Sequence, residues 1–209
     1  MKISVLGCGR WGSCIAWYQS AVLGNDVISW GPEGDYSYEV LKNTGRNEYV
    51  ELDGRIKITC DLKYAIRESD IIIISISSQG LRGFMQRIIK YPVKGKIFVL
   101  CMKSIEESTG KRLSQVLTES GISPDKIAVW VGPGHIQAFV KGIPNCMVID
   151  SSYDTLKRHL ADTFKSNLIR FYYCNDLLGL AIRAAPQNAL ASAAAAPGGR
   201  SAADPTGPR

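Results

Sequence analysis

The stretch that most constrains this chain runs from Lys2 to Trp17. Lys2–Leu6 reads K-I-S-V-L, an apolar run of strand length, and Gly7-Cys8-Gly9-Arg10-Trp11-Gly12 follows directly. An apolar helical start, Ser13 to Trp17, comes next. Strand, glycine turn, helix is the context in which a G-x-G-x-x-G spacing carries meaning. Gly7 permits the tight turn out of the strand. Gly9, with no Cβ, lets a pyrophosphate approach the backbone, and Gly12 lets the helix pack closely on the strand. The helix then opens with free N–H groups and the positive end of its dipole facing the phosphates. The competing reading of the same spacing is a glycine-rich turn that holds no ligand.

The rest of the chain alternates in the same way. A helix is predicted over 10–22, a strand over Asp26–Trp30 ended by Gly31-Pro32, a helix over 35–44 and a short strand over Arg55–Thr59. Asp61 is placed to cap a helix reaching Glu68. Ile71 to Ile76 is a nearly unbroken β-branched run, as expected of a strand covered on both faces. Helix 79–90, strand 96–101, helix Thr109–Ser120 closed by Gly121, and strand Lys126–Val131 follow. Gly132-Pro133-Gly134 breaks that strand before a short helix to Val140. Strands 145–150 and 168–173 flank helix 153–165. This alternation predicts an α/β fold, a Rossmann-type doubly wound, mostly parallel sheet.

Composition narrows the class. The 209 residues suit one generous domain or a domain plus a fragment. A net charge of +6 is mild, and no basic run is dense enough to suggest nucleic acid. It fits attraction of phosphorylated small molecules, or plain surface charge. The six cysteines, at 8, 14, 60, 101, 146 and 174, form no C-x-x-C pair, and His135 and His159 are not spaced for zinc. They are expected to be buried thiols in a reducing compartment, with no metal. Strand residues follow Met1 without a signal peptide, and no apolar run is long enough for a bilayer, so a cytoplasmic location is expected. From Ala181 onward the chain is mostly Ala, Pro, Gly and Arg. Its expected organisation is 1–175 as an NAD(P)-binding domain, 176–196 as the remnant of a helical domain and 197–209 as a disordered tail.

In open α/β sheets, ligands lie beyond the carboxyl ends of the strands. Pro32 and Glu33 follow the second strand there. A carboxylate would bond ribose hydroxyls and favour NAD over NADP, while an exposed turn acid is the equal alternative. Ser75–Gln79 follow the isoleucine strand, near where a nicotinamide ribose would pass, with a plain strand-to-helix cap as the equal alternative. Lys103 follows Cys101-Met102 and can aim an ammonium at a phosphate or carbonyl, or can be a solvated lysine. Gly132 to His135 offers exposed backbone near the same cleft, with His135 more suited to a structural role.

Taken together, these segments resemble the N-terminal part of the NAD(P)-dependent glycerol-3-phosphate dehydrogenase family. The matching stretches are Gly7–Gly12 with Trp11, Trp30-Gly31, Asn47–Gly54 before Arg55, and Lys103 with Ile105-Glu106 and Thr109-Gly110. They continue with Gly132-Pro133-Gly134, Lys141-Gly142-Ile143-Pro144, and Asn175-Asp176 with Leu178-Gly179. The match covers about residues 1–188, with every motif in the family's order.

The resemblance implies hydride transfer between nicotinamide and C2 of sn-glycerol 3-phosphate, or of dihydroxyacetone phosphate in reverse. Such a reaction supplies glycerophospholipid precursors. Gly7, Gly9, Arg10, Trp11, Gly12, Pro32, Glu33, Lys103 and Ile136 are then expected at the cofactor. Lys103, Gly132 and Gly134 are expected at the small phosphorylated substrate, and a homodimer is the assembly allowed for. Two departures stand out. The family usually carries Ser or Thr where this chain has Gly134. Its second lysine, the general acid/base, is replaced by Gln187, which cannot exchange a proton near pH 7, and Pro186 would kink the helix there. With the family's C-terminal domain also expected to be missing, the chain is expected to be truncated and impaired. The alternatives are a catalytically dead dinucleotide-binding module, or another Rossmann dehydrogenase such as a ketopantoate reductase.

Overall fold

The computed structural model describes residues 1–132 and 134–173. Pro133, Cys174, the segments expected at 176–196 and 197–209, and with them Pro186 and Gln187, lie outside the described residues. Eight strands form one sheet in the order β3-β2-β1-β4-β5-β6-β7-β8. They are β1 (Lys2–Leu6), β2 (Asp26–Trp30), β3 (Lys57–Thr59), β4 (Ile71–Ile74), β5 (Ile97–Leu100), β6 (Ile127–Val131), β7 (Asn145–Asp150) and β8 (Ile169–Tyr173). All neighbours run parallel except β6 and β7, which are antiparallel. The fold is the Rossmann-type doubly wound sheet expected from the strand–helix alternation.

The helices are α1 (Arg10–Trp17), α2 (Tyr36–Thr44), α3 (Leu62–Glu68), α4 (Leu81–Ile88), α5 (Leu113–Glu119), α6 (Ile136–Val140) and α7 (Asp154–Phe164). They cover both faces of the sheet, and alternate residues of each central strand divide between the two cores. Ile3, Val5, Ile71, Ile73, Val99, Ala128 and Trp130 pack with residues of α1, α2, α6 and α7. Leu6, Ile72, Ile74, Phe98, Leu100 and Ile127 pack with α3, α4 and α5. This is the period of two that puts successive side chains on opposite faces. The four isoleucines of β4 are each at most 1% exposed, and burying one such side chain contributes about 1.5–3 kcal/mol. The central strand is thereby fixed, and its carboxyl end with it.

Several boundaries differ from expectation. The first helix changes to a wider π turn at Tyr18–Val22, where Tyr18 reaches across to donate to the Phe164 carbonyl at 2.6 Å. β3 starts at Lys57 rather than Arg55, because the Arg55 guanidinium and backbone N–H turn back onto the Asp53 carboxylate. Helix 79–90 opens as a 3-10 turn at Ser78–Gly80. The helix expected from Thr109 begins only at Leu113. Residues 105–112 fold back on themselves instead, with Ile105 bridging Arg112 and the Glu106 N–H donating to the Lys111 carbonyl at 2.8 Å. Asp61 caps α3 as expected, accepting from the Tyr64 N–H. Among the described cysteines, Cys8, Cys14 and Cys101 are buried, whereas Cys146 is exposed on β7.

Candidate functional site

A cleft of about 480 Å³ lies beyond the carboxyl ends of β1, β4, β5 and β6. Gly9, Arg10 and Trp11 form one wall. Ser75, Ile76 and Ser78 follow β4, Cys101 to Lys103 follow β5, and Trp130 to Gly132 with Gly134 complete the lining. Of the residues expected to bind ligand, the fold therefore brings Gly9, Arg10, Trp11, Lys103, Gly132 and Gly134 together.

The three turn glycines have different reasons to be glycine. Gly7 sits at φ +122°, and a Cβ there would lie 2.1 Å from the Ser75 carbonyl oxygen. A Cβ on Gly12 would lie 1.9 Å from the Gly7 carbonyl oxygen. Both are demanded by the protein's own backbone, and neither lines the cleft. Gly9 has φ −66°, open to any residue, and a Cβ there would meet nothing within 4 Å. It caps α1 without any side-chain cap, so the free N–H groups of the first turn stand at the cleft.

Arg10 is held from outside the turn. Its guanidinium lies over the Tyr49 ring, 4.9 Å from the centroid. Tyr49 is fixed by Asn47, whose Oδ1 accepts from the backbone N–H groups of Tyr49 and Val50 at 2.9 Å each. The Asn47 amide in turn donates to Ser13 Oγ in α1 at 2.8 Å. The loop after α2 is thus docked on the first helix, and a cation sits at the mouth of the cleft.

The opposite wall is close-packed. A Cβ on Gly134 would lie 2.5 Å from the Phe139 ring, and one on Gly132 2.7 Å from Met147 Sδ. The Phe139 ring is 6.0 Å from that of Trp11, so this wall leans on the glycine turn. A side chain at Gly134 would fit only if the Phe139 ring shifted. Lys103 is half-buried, and among the described residues its ammonium has no hydrogen-bond or ion-pair partner. Burial pushes the neighbouring Cys101 thiol well above its ordinary value, which keeps it protonated and unreactive.

Pro32, Glu33 and Ile136 do not line this cleft. Pro32 and Glu33 are exposed on the turn that follows β2, closed by the Asp35 N–H donating to the Pro32 carbonyl at 3.1 Å, with Gly34 at φ +78°. Ile136 is 2% exposed and packs in the core. Trp130 and Val131 are lining residues that the sequence reading does not single out. The available signal was the Gly-Pro-Gly break, which puts the last residues of β6 at the carboxyl edge of the sheet.

Strand order, the reversal at β1 and β4, and a cleft over an uncapped helix start define a doubly wound domain of the dinucleotide-binding class. Residues 2–157 match the family described as NAD-dependent glycerol-3-phosphate dehydrogenase N-terminus. The chain is 31% identical over 199 residues to a glycerol-3-phosphate dehydrogenase [NAD(P)+] of Pelodictyon phaeoclathratiforme, covering 93% of this chain and 60% of that one. It is 32% identical over 193 residues to the like-named protein of Thermoanaerobacter sp., covering 91% and 58%. The crystal structure of glycerol-3-phosphate dehydrogenase from Coxiella burnetii superposes with a TM-score of 0.79 at 22% identity, covering 88% of this chain and 56% of that one. The chain belongs to the NAD-dependent glycerol-3-phosphate dehydrogenase family, whose N-terminal region it matches. It spans about 60% of the length of the curated relatives it matches. Among the described residues, no helix is long and apolar enough to cross a membrane.

Proposed function

We propose that this chain, with 1–175 as its NAD(P)-binding unit, serves the interconversion of sn-glycerol 3-phosphate and dihydroxyacetone phosphate. The observation that carries this reading is the contrast within the glycine turn. Gly7 and Gly12 are needed by the fold, whereas a Cβ on Gly9 would meet no atom of the described residues within 4 Å, and Gly9 opens onto the cleft that Lys103 lines. A bare backbone at an uncapped helix start fits the pyrophosphate of a dinucleotide. Gly9 with Arg10 and Trp11 would hold it, on the turn that Gly7 and Gly12 shape, and Lys103, Gly132 and Gly134 would face the phosphorylated substrate.

Bound nicotinamide supplies the hydride chemistry. The chain's own residues hold phosphates at the start of α1 and place the Lys103 ammonium where an oxygen gains negative charge. Gln187 stands where the resemblance puts the second lysine, and an amide delivers no proton. Losing a positioned acid costs about 10²–10⁴-fold in rate, so turnover is expected to be weak. That substitution is also what favours the second reading, a dinucleotide-binding module without activity.

NAD is the preferred cofactor in this reading, because Pro32 and Glu33 bring no positive charge to the end of β2. A cytoplasmic location is supported by the five described cysteines, all of them free. The test is steady-state oxidation of NADH with dihydroxyacetone phosphate, beside titrations of NADH and NADPH and a Lys103→Ala control. Slow turnover that the control abolishes supports the dehydrogenase. Cofactor binding without turnover supports the module, and no binding of either cofactor contradicts both.

A further inference from the structure

The loop that carries Lys103 is held in an unusual state. Ser104, the next residue, has φ +136°, and it is the one non-glycine residue at positive φ among those described. L side chains rarely adopt such a backbone, and it persists only where the surroundings over-determine it. Two clamps do so here. Gln79, beside the cleft residue Ser78, donates from Nε2 to the Ile105 carbonyl at 3.1 Å and accepts at Oε1 from the Glu107 N–H at 3.0 Å. One turn further along, Arg82 meets the nearly buried Glu106 carboxylate with two parallel bonds of 2.8 Å each. Thr109 Oγ1 donates to the same carboxylate. Arg82 is itself braced by Glu119 at 2.8 Å.

Both clamps come from the segment after β4, and both grip the residues just past Ser104. They fix the spacing between the two cleft walls that follow β4 and β5. The polar groups involved do not line the cleft, whereas Lys103 does and has no partner among the described residues.

We infer that Gln79 and the Arg82–Glu106 pair are positioning residues, which force the Ser104 turn and so aim Lys103 into the cleft. The inference rests on the proposed role of Lys103 at a bound dinucleotide. It carries a specific consequence. With a clamp released, Ser104 has reason to relax to negative φ and swing the Lys103 peptide. Glycine at 104 has no such reason, since it populates both signs of φ about equally. Ser104→Gly should therefore rescue a released clamp.

The experiment uses the full chain with NADH as probe. The HN–Hα coupling of Ser104, which reads φ, is measured by NMR together with NADH affinity. The variants are Gln79→Ala, Glu106→Gln, and Gln79→Ala combined with Ser104→Gly. Gln79 is exposed, so its variant keeps the fold even if Glu106→Gln does not. The expected result is a Ser104 coupling that leaves its wild-type value in Gln79→Ala. NADH affinity should then fall about tenfold, as misplacement of a contacting group allows, and return to within about twofold in the combined variant. An unchanged Ser104 coupling in Gln79→Ala overturns the inference, as does a loss of affinity that Ser104→Gly does not restore. If wild type binds no NADH, the dinucleotide reading fails on its own. The Lys103 amide shift and the Ser104 coupling across the same variants then decide the clamp.

Discussion

The turn at Gly7–Gly12 and the loop at Met102–Arg112 line one cleft, yet they are built from different materials. Backbone packing shapes the turn: two glycines lie so close to carbonyl oxygens that no side chain fits, and the third is left open. Side chains from another element shape the loop: Gln79 and Arg82 hold a residue in a conformation it would not choose. A backbone-built wall is rigid and tolerates nothing at its contacts. A clamped wall can be released one bond at a time. In the proposed reading, the rigid wall receives the part of the ligand that any dinucleotide shares, and the clamped wall carries the charge for the chemistry.

The largest effect should come from filling the rigid wall. Gly12→Ala places a methyl group 1.9 Å from the Gly7 oxygen, and the backbone must move. We expect a loss of about 3 kcal/mol, the upper range for overpacking. For a chain of this size that is a drop of about 6–12 °C in melting temperature, read by calorimetry. A melting point equal to wild type would remove the distinction between the two walls.

The next effect separates them by pH. Arg82 first, and then Thr109, hold the Glu106 carboxyl down from 4.5 to about 2. A lowered folded value means stability present above pH 4.5 and lost as pH falls towards 2. Protection against hydrogen exchange at the amides between Ile105 and Lys111, taken relative to the intrinsic rate at each pH, should fall across that window. Glu106→Gln should remove that step, leaving protection in the loop lower than in wild type above pH 4.5. The amides of the glycine turn, which among the described residues no ionised side chain holds, should show no step that depends on Glu106. Identical pH profiles for wild type and the variant would show that the ion pair does not hold the loop.

The smallest effect is a gain. Ser104→Gly removes a strain of about 1–3 kcal/mol. Against that, it gives up the bond from Ser104 Oγ to the Ile105 carbonyl at 2.9 Å, about 0.5 kcal/mol at this partly exposed group, and adds about 0.5–1 kcal/mol of chain entropy to be lost on folding. Strain in the upper part of that range outweighs both losses, and the melting temperature should rise by about 2 °C. A fall would mean that Ser104 is not strained in solution.

The same contrast decides what could be read from the sequence. The glycine turn is legible because its cause is local: spacing, a strand before it and a helix after it. The isoleucine run of β4 is legible because burial on both faces leaves a compositional mark. Lys103 is legible as a lysine past a strand, but its clamps are not, because Arg82 lies 24 residues from Glu106 and Gln79 lies 28 from Glu107. For the same reason, Thr109 to Arg112 reads as helix by pattern, whereas the Glu106–Arg82 pair and Gly110, at φ +68°, hold it as a turn. Pro32 and Glu33 follow β2 at a plausible spacing, and only the folded chain shows that they are not among the residues lining this cleft.

The central claim is that Gly9 is glycine for the sake of a ligand and not for the fold. Gly9→Val tests it most directly, since among the described residues its Cβ meets no atom within 4 Å. Calorimetric titration with NADH should show binding weaker by about tenfold to a hundredfold, while the melting temperature without ligand stays within about 2 °C of wild type. Equal NADH binding by the variant and wild type would contradict the account.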